Sequence, residues 1–274
     1  MVKFKNKEID AIFLDLDGTS LDKNGSISNE LVLEVRRLSN KGVLIFLVSG
    51  RSYESIIPHH NKLGLNTHII AYNGAQLLTK DGVKLKEHLL DENIVEDALK
   101  IAKAKDVYVQ FYKDKKPYYI GNEKLSLEYY DKSKVKPIKL QHNFEINKNV
   151  TNGMFLVSEF NCDNTKLLKI IDFLNSRRIW IEKANYYLSS PGTLEFSNKD
   201  VSKGSMVSYL LKTLNLHDCN TMAIGDGLND MEMLNNATFS IAMGNANEQL
   251  KAISDLTIGC ESENGVAKFL KTIT

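Results

Sequence analysis

Residues 11–19 read AIFLDLDGT, an apolar run that ends in two aspartates, one residue apart, and a glycine turn. The apolar run predicts a buried strand over residues 9–14. Side chains alternate along a strand, so Asp15 and Asp17 would share one face if the chain stays extended. Two neighbouring acids repel each other, and a divalent cation such as magnesium, which prefers oxygen ligands, would compensate them. The alternative is a surface turn, since Asp-Gly is common turn chemistry.

Strands and helices alternate around this stretch at both ends of the chain. Apolar runs over residues 43–48 and 68–72 predict two more strands, and a helical pattern starts near Ser28 or Asn29 and stops at Gly42. The alternation returns later, with strands predicted over 221–224, 239–243 and 256–258 and helices over 203–214, 230–235 and 264–271. Such alternation predicts an α/β fold, a Rossmann-like doubly wound parallel sheet with helices on both faces.

The middle of the chain follows a different pattern. Short strands lie only a few residues apart, which indicates antiparallel pairing, and two helical patterns are interspersed. The strands are predicted over 107–112, 117–120, 154–157, 179–182 and 186–188, and the helices over 91–104 and 163–177. We therefore expect an α+β domain at residues 84–189, inserted into a core that is made of residues 1–83 and 190–274.

Composition excludes several classes of function. The 274 residues, 43% hydrophobic and 25% charged, are typical of a globular protein with one large domain or two modest ones. A net charge of +1 offers no basic field for nucleic acid or an anionic membrane. Cys162, Cys219 and Cys260 form no CxxC pair, which argues against disulfides or structural zinc and suits a reducing compartment. The sequence has neither a signal-peptide pattern nor an apolar stretch of about 18 residues, so we expect a cytoplasmic protein. The oligomeric state stays open.

Three further segments place polar residues at the end of a predicted strand or the start of a helix. Ser49-Gly50-Arg51 follows the second strand, Ser202-Lys203-Gly204 opens a helix, and residues 225–230, GDGLND, follow a later strand. Ligands of a doubly wound sheet bind beyond the carboxyl ends of its strands, where these segments would converge. Taken alone, Ser-Gly-Arg is a common turn and a single lysine is usually solvated. The four segments together predict a site.

The residue types in these segments suit a phosphate ligand and a cation. The Ser49 hydroxyl can donate to an anionic oxygen, and backbone N–H groups at a helix start add further donors. Lys203 is a compact positive charge that suits a phosphate or a carboxylate nucleophile. Asp226 supplies a third carboxylate for the cation, and Asp230 is a candidate fourth.

The order of these segments resembles the haloacid dehalogenase superfamily of phosphatases, and more closely its Cof-type branch with a type IIB cap. The resemblance covers essentially the whole chain and includes the pieces Tyr72-Asn73-Gly74-Ala75, Ala242-Met243-Gly244-Asn245-Ala246 and Asn264-Gly265-Val266. It implies that the insert at 84–189 is the cap, which selects the substrate. The interval between Thr19 and Ser49 is too short to hold a large cap in the alternative position.

The resemblance also implies catalytic and metal-binding roles. Asp15 would attack phosphorus and form an aspartyl-phosphate. Asp17 would protonate the leaving alcohol and then take a proton from the attacking water. Mg²⁺ would be held by the Asp15 carboxylate, the Asp17 backbone carbonyl and Asp226. Asp230 would support the metal or Lys203.

The remaining implied roles concern the phosphate. Ser49, the Gly50 N–H and Lys203 would hold the phosphoryl oxygens, and Asn229 would orient the phosphate or a metal ligand. By the same resemblance the expected partner is a small phosphorylated metabolite. Sugar phosphates are expected ahead of flavin mononucleotide and pyridoxal phosphate. No motif marks the specificity residues of the cap.

A dehalogenase is disfavoured because a halide leaves without a proton and needs no acid at Asp17. Two other functions, a phosphomutase and a non-catalytic sensor, remain as alternatives to a phosphatase. A phosphomutase of the phosphomannomutase type would need basic cap residues, and the insert offers Lys113, Lys115, Lys116, Lys134 and Lys136. A non-catalytic sensor of a phosphate ligand is the other alternative.

Overall fold

The computed structural model describes residues 2–133, 135–141, 146, 148–157, 165–190, 192–216 and 218–274. Lys134, Cys162 and the first two residues of the helix predicted over 163–177 lie outside these ranges. The chain divides into two compact units: Met1–Lys86 with Ser202–Thr274 form the first, and Glu87–Val201 form the second. Within the described ranges, no helix combines the length and apolar character needed to cross a membrane.

Strands and helices are numbered along the chain. The strands are β1 (Lys3–Phe4), β2 (Lys7–Glu8), β3 (Ala11–Leu14), β4 (Leu44–Val48), β5 (Ile69–Ala71), β6 (Gln76–Leu78), β7 (Lys84–Glu87), β8 (Tyr108–Lys113), β9 (Lys116–Ile120), β10 (Ile138–Lys139), β11 (Val150–Leu156), β12 (Ala184–Ser190), β13 (Thr193–Asn198), β14 (Thr221–Gly225), β15 (Phe239–Ala242) and β16 (Leu256–Thr257). The helices are α1 (Asn29–Asn40), α2 (Tyr53–Leu63), α3 (Glu92–Lys105), α4 (Glu123–Ser133), α5 (Thr165–Asn175), α6 (Arg178–Lys183), α7 (Lys203–Thr213), α8 (Met231–Asn235), α9 (Glu248–Ile253) and α10 (Gly265–Lys271).

The first unit is built on a mixed sheet with the strand order β16-β15-β14-β3-β4-β5-β6-β7. The neighbours from β16 to β5 are parallel, and β6 is antiparallel to β5. Every residue of β3 and of β14 is buried, which requires cover on both faces of the sheet. The α/β prediction is confirmed, with two additions that were not predicted: β6, which is antiparallel to β5, and β7, which lies next to β6 at the end of the sheet.

Helix α1 shows why the first unit folds as its sequence predicts. The Ser28 side chain accepts a hydrogen bond from the Leu31 N–H and so caps the first turn. Leu31, Val35 and Leu38 recur at helical spacing and are all buried. Helix α1 packs against α10 and α2, while α7 packs against α8.

The second unit is an α+β structure around a six-stranded sheet with the order β10-β9-β8-β11-β13-β12. Its pairs are antiparallel, as predicted, except that β10 runs parallel to β9. Phe111, Phe155 and Phe196 belong to a buried apolar cluster that also holds Trp180. The Trp180 indole donates to Asp97 Oδ2 at 2.7 Å, which satisfies its only polar atom.

Two predictions for the second unit were wrong. Residues 179–182, predicted as a strand, lie in helix α6, because a short apolar run does not distinguish the two structures; the helix buries Trp180 and leaves Ile181 half-exposed. The predicted boundary at 189/190 is also corrected. Strand β13, which was not predicted, pairs with both β11 and β12, so this unit continues to Val201.

His60 is a buried histidine of α2. Its ring is fully buried, and Nε2 lies 3.0 Å from the Thr67 carbonyl oxygen, which assigns the proton to Nε2. Burial lowers the pKa of His60, the hydrogen bond to Thr67 raises it in part, and the charge of Lys80 lowers it further. The pKa in the folded chain is therefore below the ordinary value.

We expect His60 to make the protein less stable in mild acid. Below about pH 6.5 the unfolded chain binds a proton that the folded chain resists, so the free energy of unfolding falls as the pH drops. Urea unfolding at several pH values should show this loss in the wild type and less of it in His60→Gln. The difference in slope should reach at most about 1.4 kcal/mol per pH unit. Identical slopes in the two proteins would contradict the assignment.

Candidate active site

The polar segments of the first unit meet at one edge of its sheet. Strand β3 is central, with Leu14 in register with Leu47 on β4 and with Ile224 on β14. The three strands are parallel, so the residues that follow them meet at their carboxyl ends. Asp15, Ser49 and the loop after β14 all lie there, as the sequence predicted.

The turn after β3 differs from the prediction. The chain does not stay extended, because Leu16–Ser20 form a wide turn in which Gly18 has φ 74°. Asp15 is buried, whereas the Asp17 side chain is 58% exposed and pairs with Arg51. A Cβ atom on residue 18 would lie 2.3 Å from Asp226 Oδ2, so only glycine fits this turn.

Lys203 links the acids of this edge. Its Nζ donates to Asp15 Oδ1 at 2.6 Å and to Asp230 Oδ1 at 2.5 Å, and its side chain is only 1% exposed. The other oxygen of Asp230 accepts from the backbone N–H groups of Asp226 and Gly227, at 3.0 Å each. Asp230 therefore fixes both the lysine and its own loop.

The site holds more negative than positive charge. Burial raises the pKa of Asp15 well above its usual range, and the charge of Asp230 adds to the effect, while Lys203 opposes it. Burial and then Asp230 raise the pKa of Asp226 to about 6, although a hydrogen bond from Thr19 lowers it. For Lys203, burial lowers the pKa, but the two acids outweigh burial and hold it above its ordinary value.

These residues fit a divalent cation. Carboxylate oxygens of Asp15, Asp226 and Asp230 lie within 4.8 Å of one another, and two of these acids, Asp15 and Asp230, pair with Lys203. An all-oxygen donor set with excess negative charge suits magnesium. The Asp17 carboxylate is outside this cluster, so a contribution from Asp17 would come from its backbone, as the resemblance implied. Both Asp230 oxygens are engaged by Lys203 and the loop.

Three of the four predicted phosphate-binding residues, Ser49, Gly50 and Asn229, lie next to Asn73. Ser49 is fully buried, and its carbonyl accepts from the Asn73 N–H. A Cβ atom on Gly50 would lie 2.9 Å from Asn73 Nδ2, so the absent side chain lets the two loops approach. Asn229 Nδ2 donates to Asn73 Oδ1 at 2.9 Å. Asn73 thus connects the segment after β4 with the loop after β14.

Asn73 and Asn245 lie in segments that carry the family resemblance, but no role was predicted for either residue. Asn245 Nδ2 donates to the Gly18 carbonyl at 2.8 Å, and its Oδ1 accepts from the Glu261 N–H at 3.2 Å. Asn73 has φ 54°, and Gly74 packs so closely on the Ser202 carbonyl that a Cβ there would lie 2.1 Å away. The Asn-Gly pair was the available signal, since both residues tolerate positive φ.

Comparison with known proteins identifies the family. The pattern that defines the haloacid dehalogenase-like hydrolases matches residues 12–270. The chain belongs to that family. This haloacid dehalogenase-like hydrolase is 30% identical to a homologue from Buchnera aphidicola subsp. Schizaphis graminum over 94% of this chain and 93% of that one. It is 27% identical to phosphatase YwpJ of Bacillus subtilis over 95% and 98% of the two chains.

Solved structures agree with this assignment. The sugar phosphatase BT4131, of subclass IIB in the superfamily, matches this haloacid dehalogenase-like hydrolase with a TM-score of 0.81. The match covers 96% of this chain and 98% of that one, at 22% identity, and shows a common fold. The resemblance to the Cof-type phosphatases is confirmed, and the chain is a phosphoric monoester hydrolase of this family.

Proposed function

We propose that this protein is a magnesium-dependent phosphatase of small phosphorylated metabolites, with sugar phosphates as the first class to test. One observation carries the proposal. Buried Lys203 holds the nucleophile candidate Asp15 next to Asp226 and Asp230, at the edge of the sheet where ligands of this fold bind.

The first half of the reaction forms the aspartyl-phosphate. An Asp15 oxygen bonds to phosphorus as the bond to the leaving oxygen breaks, and Asp17 gives that oxygen a proton. Lys203 orients the Asp15 carboxylate through its 2.6 Å contact and contributes positive charge to the phosphoryl oxygens. Ser49 and the Gly50 N–H donate to the same oxygens.

The second half returns the enzyme to its starting state. A water oxygen bonds to phosphorus, the bond to Asp15 breaks, and Asp17 takes the proton of the water. Asn229, fixed by Asn73, orients the phosphate. Magnesium, held by Asp15, Asp226 and the Asp17 backbone carbonyl, would supply positive charge between the nucleophile and the phosphoryl group.

The second unit, Glu87–Val201, is proposed as the cap that selects the substrate. The sugar phosphatase activity of BT4131, which shares the fold, supports sugar phosphates as the substrate class. Free Cys219 and Cys260 suit a reducing compartment, and we place the activity in the cytoplasm.

The test is phosphate release from a panel of phosphorylated sugars, nucleotides and cofactors. With magnesium we expect phosphate release, and the rates for the different substrates should reflect the selectivity of the second unit. Excess chelator should lower the rate of phosphate release by at least about 100-fold, because without the metal the three acids lack their compensating charge. Added magnesium should restore the rate. Activity that survives excess chelator would contradict the metal site. A folded protein that binds magnesium but releases no phosphate would favour a mutase or a sensor.

Magnesium binding can be measured without turnover. Isothermal titration should show binding to the wild type and its loss in Asp226→Asn, since Asp226 is one of the three clustered acids. Asp81→Asn is the matched control, because Asp81 is an exposed aspartate whose side chain pairs with Lys80. Equal affinity in both variants would remove Asp226 from the ligand set.

A further inference from the structure

Arg51 has no role in the mechanism proposed above, although it belongs to the Ser49-Gly50-Arg51 segment. Its guanidinium binds the Asp17 carboxylate through two hydrogen bonds, with Nε donating to Oδ2 at 2.7 Å and Nη2 donating to Oδ1 at 2.6 Å. A two-point contact of this kind fixes both the position and the plane of a carboxylate. Asp17, which follows β3, is therefore held by the guanidinium of Arg51, which follows β4.

The backbone of Arg51 is itself anchored. Its N–H donates to Ser49 Oγ at 3.2 Å, and its carbonyl accepts from the Tyr72 N–H at 3.0 Å. The next residue, Ser52, caps α2 by accepting from the Ser55 N–H. Because the backbone of Arg51 is fixed, its guanidinium can restrain the position of the Asp17 carboxylate.

Stability does not explain the pair. The Arg51 and Asp17 side chains are 28% and 58% exposed, and ion pairs with this exposure contribute little to folding. The turn that carries Asp17 leaves its side chain outside the buried acid cluster. Without the arginine, the exposed Asp17 side chain would sample several rotamers. The contact with Arg51 therefore restricts the Asp17 carboxylate to one position.

We propose that Arg51 is a positioning residue that holds the Asp17 carboxylate in place for proton exchange; the inference rests on the proposed function. In the second half-reaction a water oxygen bonds to phosphorus. The phosphorus–oxygen bond to Asp15 breaks with its electron pair returning to the carboxylate, and the water proton goes to Asp17. Loss of Arg51 slows this step because Asp17 is no longer aimed at the water.

The experiment is rapid-quench kinetics with p-nitrophenyl phosphate, whose leaving group departs without a proton. In Arg51→Met, formation of the phosphoenzyme should stay within about threefold of the wild type. Its decay, which requires Asp17 as base, should slow by about tenfold or more. Arg51→Lys keeps the charge but not the two-point contact, and its decay rate should lie between those of Arg51→Met and the wild type.

A double-mutant cycle separates positioning from other roles. In an Asp17→Asn background, Arg51→Met should change the decay rate by less than about twofold, because the group that it positions is already lost. Arg36→Lys is the matched control: Arg36 bonds only to the carbonyls of Lys62 and Leu63 among the described contacts, and both kinetic steps should match the wild type.

Three outcomes overturn the inference while leaving the proposed function intact. Losses that multiply in the double variant would give Arg51 a role independent of Asp17. Inhibition by inorganic phosphate that weakens in Arg51→Met would make it a phosphate-binding residue. An unchanged decay rate in Arg51→Met, with a slowed one in Asp17→Asn, would make the pair incidental. By contrast, normal decay in Asp17→Asn, or no phosphoenzyme at all, would refute the proposed function.

Discussion

Replacing Asp15 with asparagine is expected to lower phosphate-ester turnover by at least about 10⁴-fold. The amide has nearly the volume of the carboxylate and can still meet Lys203, but it cannot attack phosphorus. Steady-state phosphate release with magnesium measures the loss, and rapid quench should detect no phosphoenzyme. Rates like those of the wild type would refute covalent catalysis by Asp15.

The same variant should be at least as stable as the wild type when magnesium is absent. Burial and the charge of Asp230 raise the pKa of Asp15, so the ionised group is costly in the folded state and its removal relieves repulsion. Thermal unfolding with chelator present makes the comparison, with Asp81→Asn as the exposed control. A marked fall in the melting temperature of Asp15→Asn would mean that its activity is lost through misfolding and not through loss of the nucleophile.

Replacing Lys203 with methionine is expected to remove both activity and stability. The side chain is 1% exposed and is bonded to two buried carboxylates, which would then face each other without compensation. Breaking a buried ion pair on one side costs about 3–5 kcal/mol. Urea unfolding should show a loss of this size. Phosphate release should fall by about 10²-fold or more, because the proposed nucleophile Asp15 loses the lysine that orients it and the phosphoryl oxygens lose a nearby positive charge.

A second change separates these two effects. In the double variant Lys203→Met with Asp230→Asn, one of the uncompensated charges is gone, so much of the stability should return. Activity should stay low, since Asp15 still lacks its lysine. Recovery of activity along with stability would mean that Lys203 serves the fold alone. No recovery of stability would mean that uncompensated negative charge is not what destabilises Lys203→Met.

The core of this fold could be predicted because its signals are local. Continuous apolar runs such as the one that forms β3 are typical of strands that are covered on both faces, and α1 carries its own cap and apolar stripe. Strand β13 escaped prediction because one of its faces carries polar residues, Thr193, Glu195 and Ser197, which interrupt the apolar pattern.

The partners of the site residues could not be predicted, because they depend on contacts distant in sequence. Strand alternation predicts that Asp17 lies beside Asp15, but in the fold the Asp17 carboxylate pairs with Arg51, which follows a different strand. The contact of Asn229 with Asn73 joins residues more than a hundred positions apart. Residue types at strand ends were sufficient to nominate the site, whereas the pairing among them required the fold.

The interrupted layout of the first unit sets the order in which the protein can become active during synthesis. Strand β3 is made early, but its neighbour β14 lies on the far side of Glu87–Val201, and Asp15 meets Lys203 and Asp230 only after that long excursion. The sheet of the first unit therefore stays incomplete while the intervening unit is synthesised. Closing so long a loop costs conformational entropy, which the contacts made by Ser202–Thr274 must offset. Until residues 202–274 are made, the proposed nucleophile Asp15 lacks Lys203, Asp226 and Asp230, the residues that surround it in the folded protein.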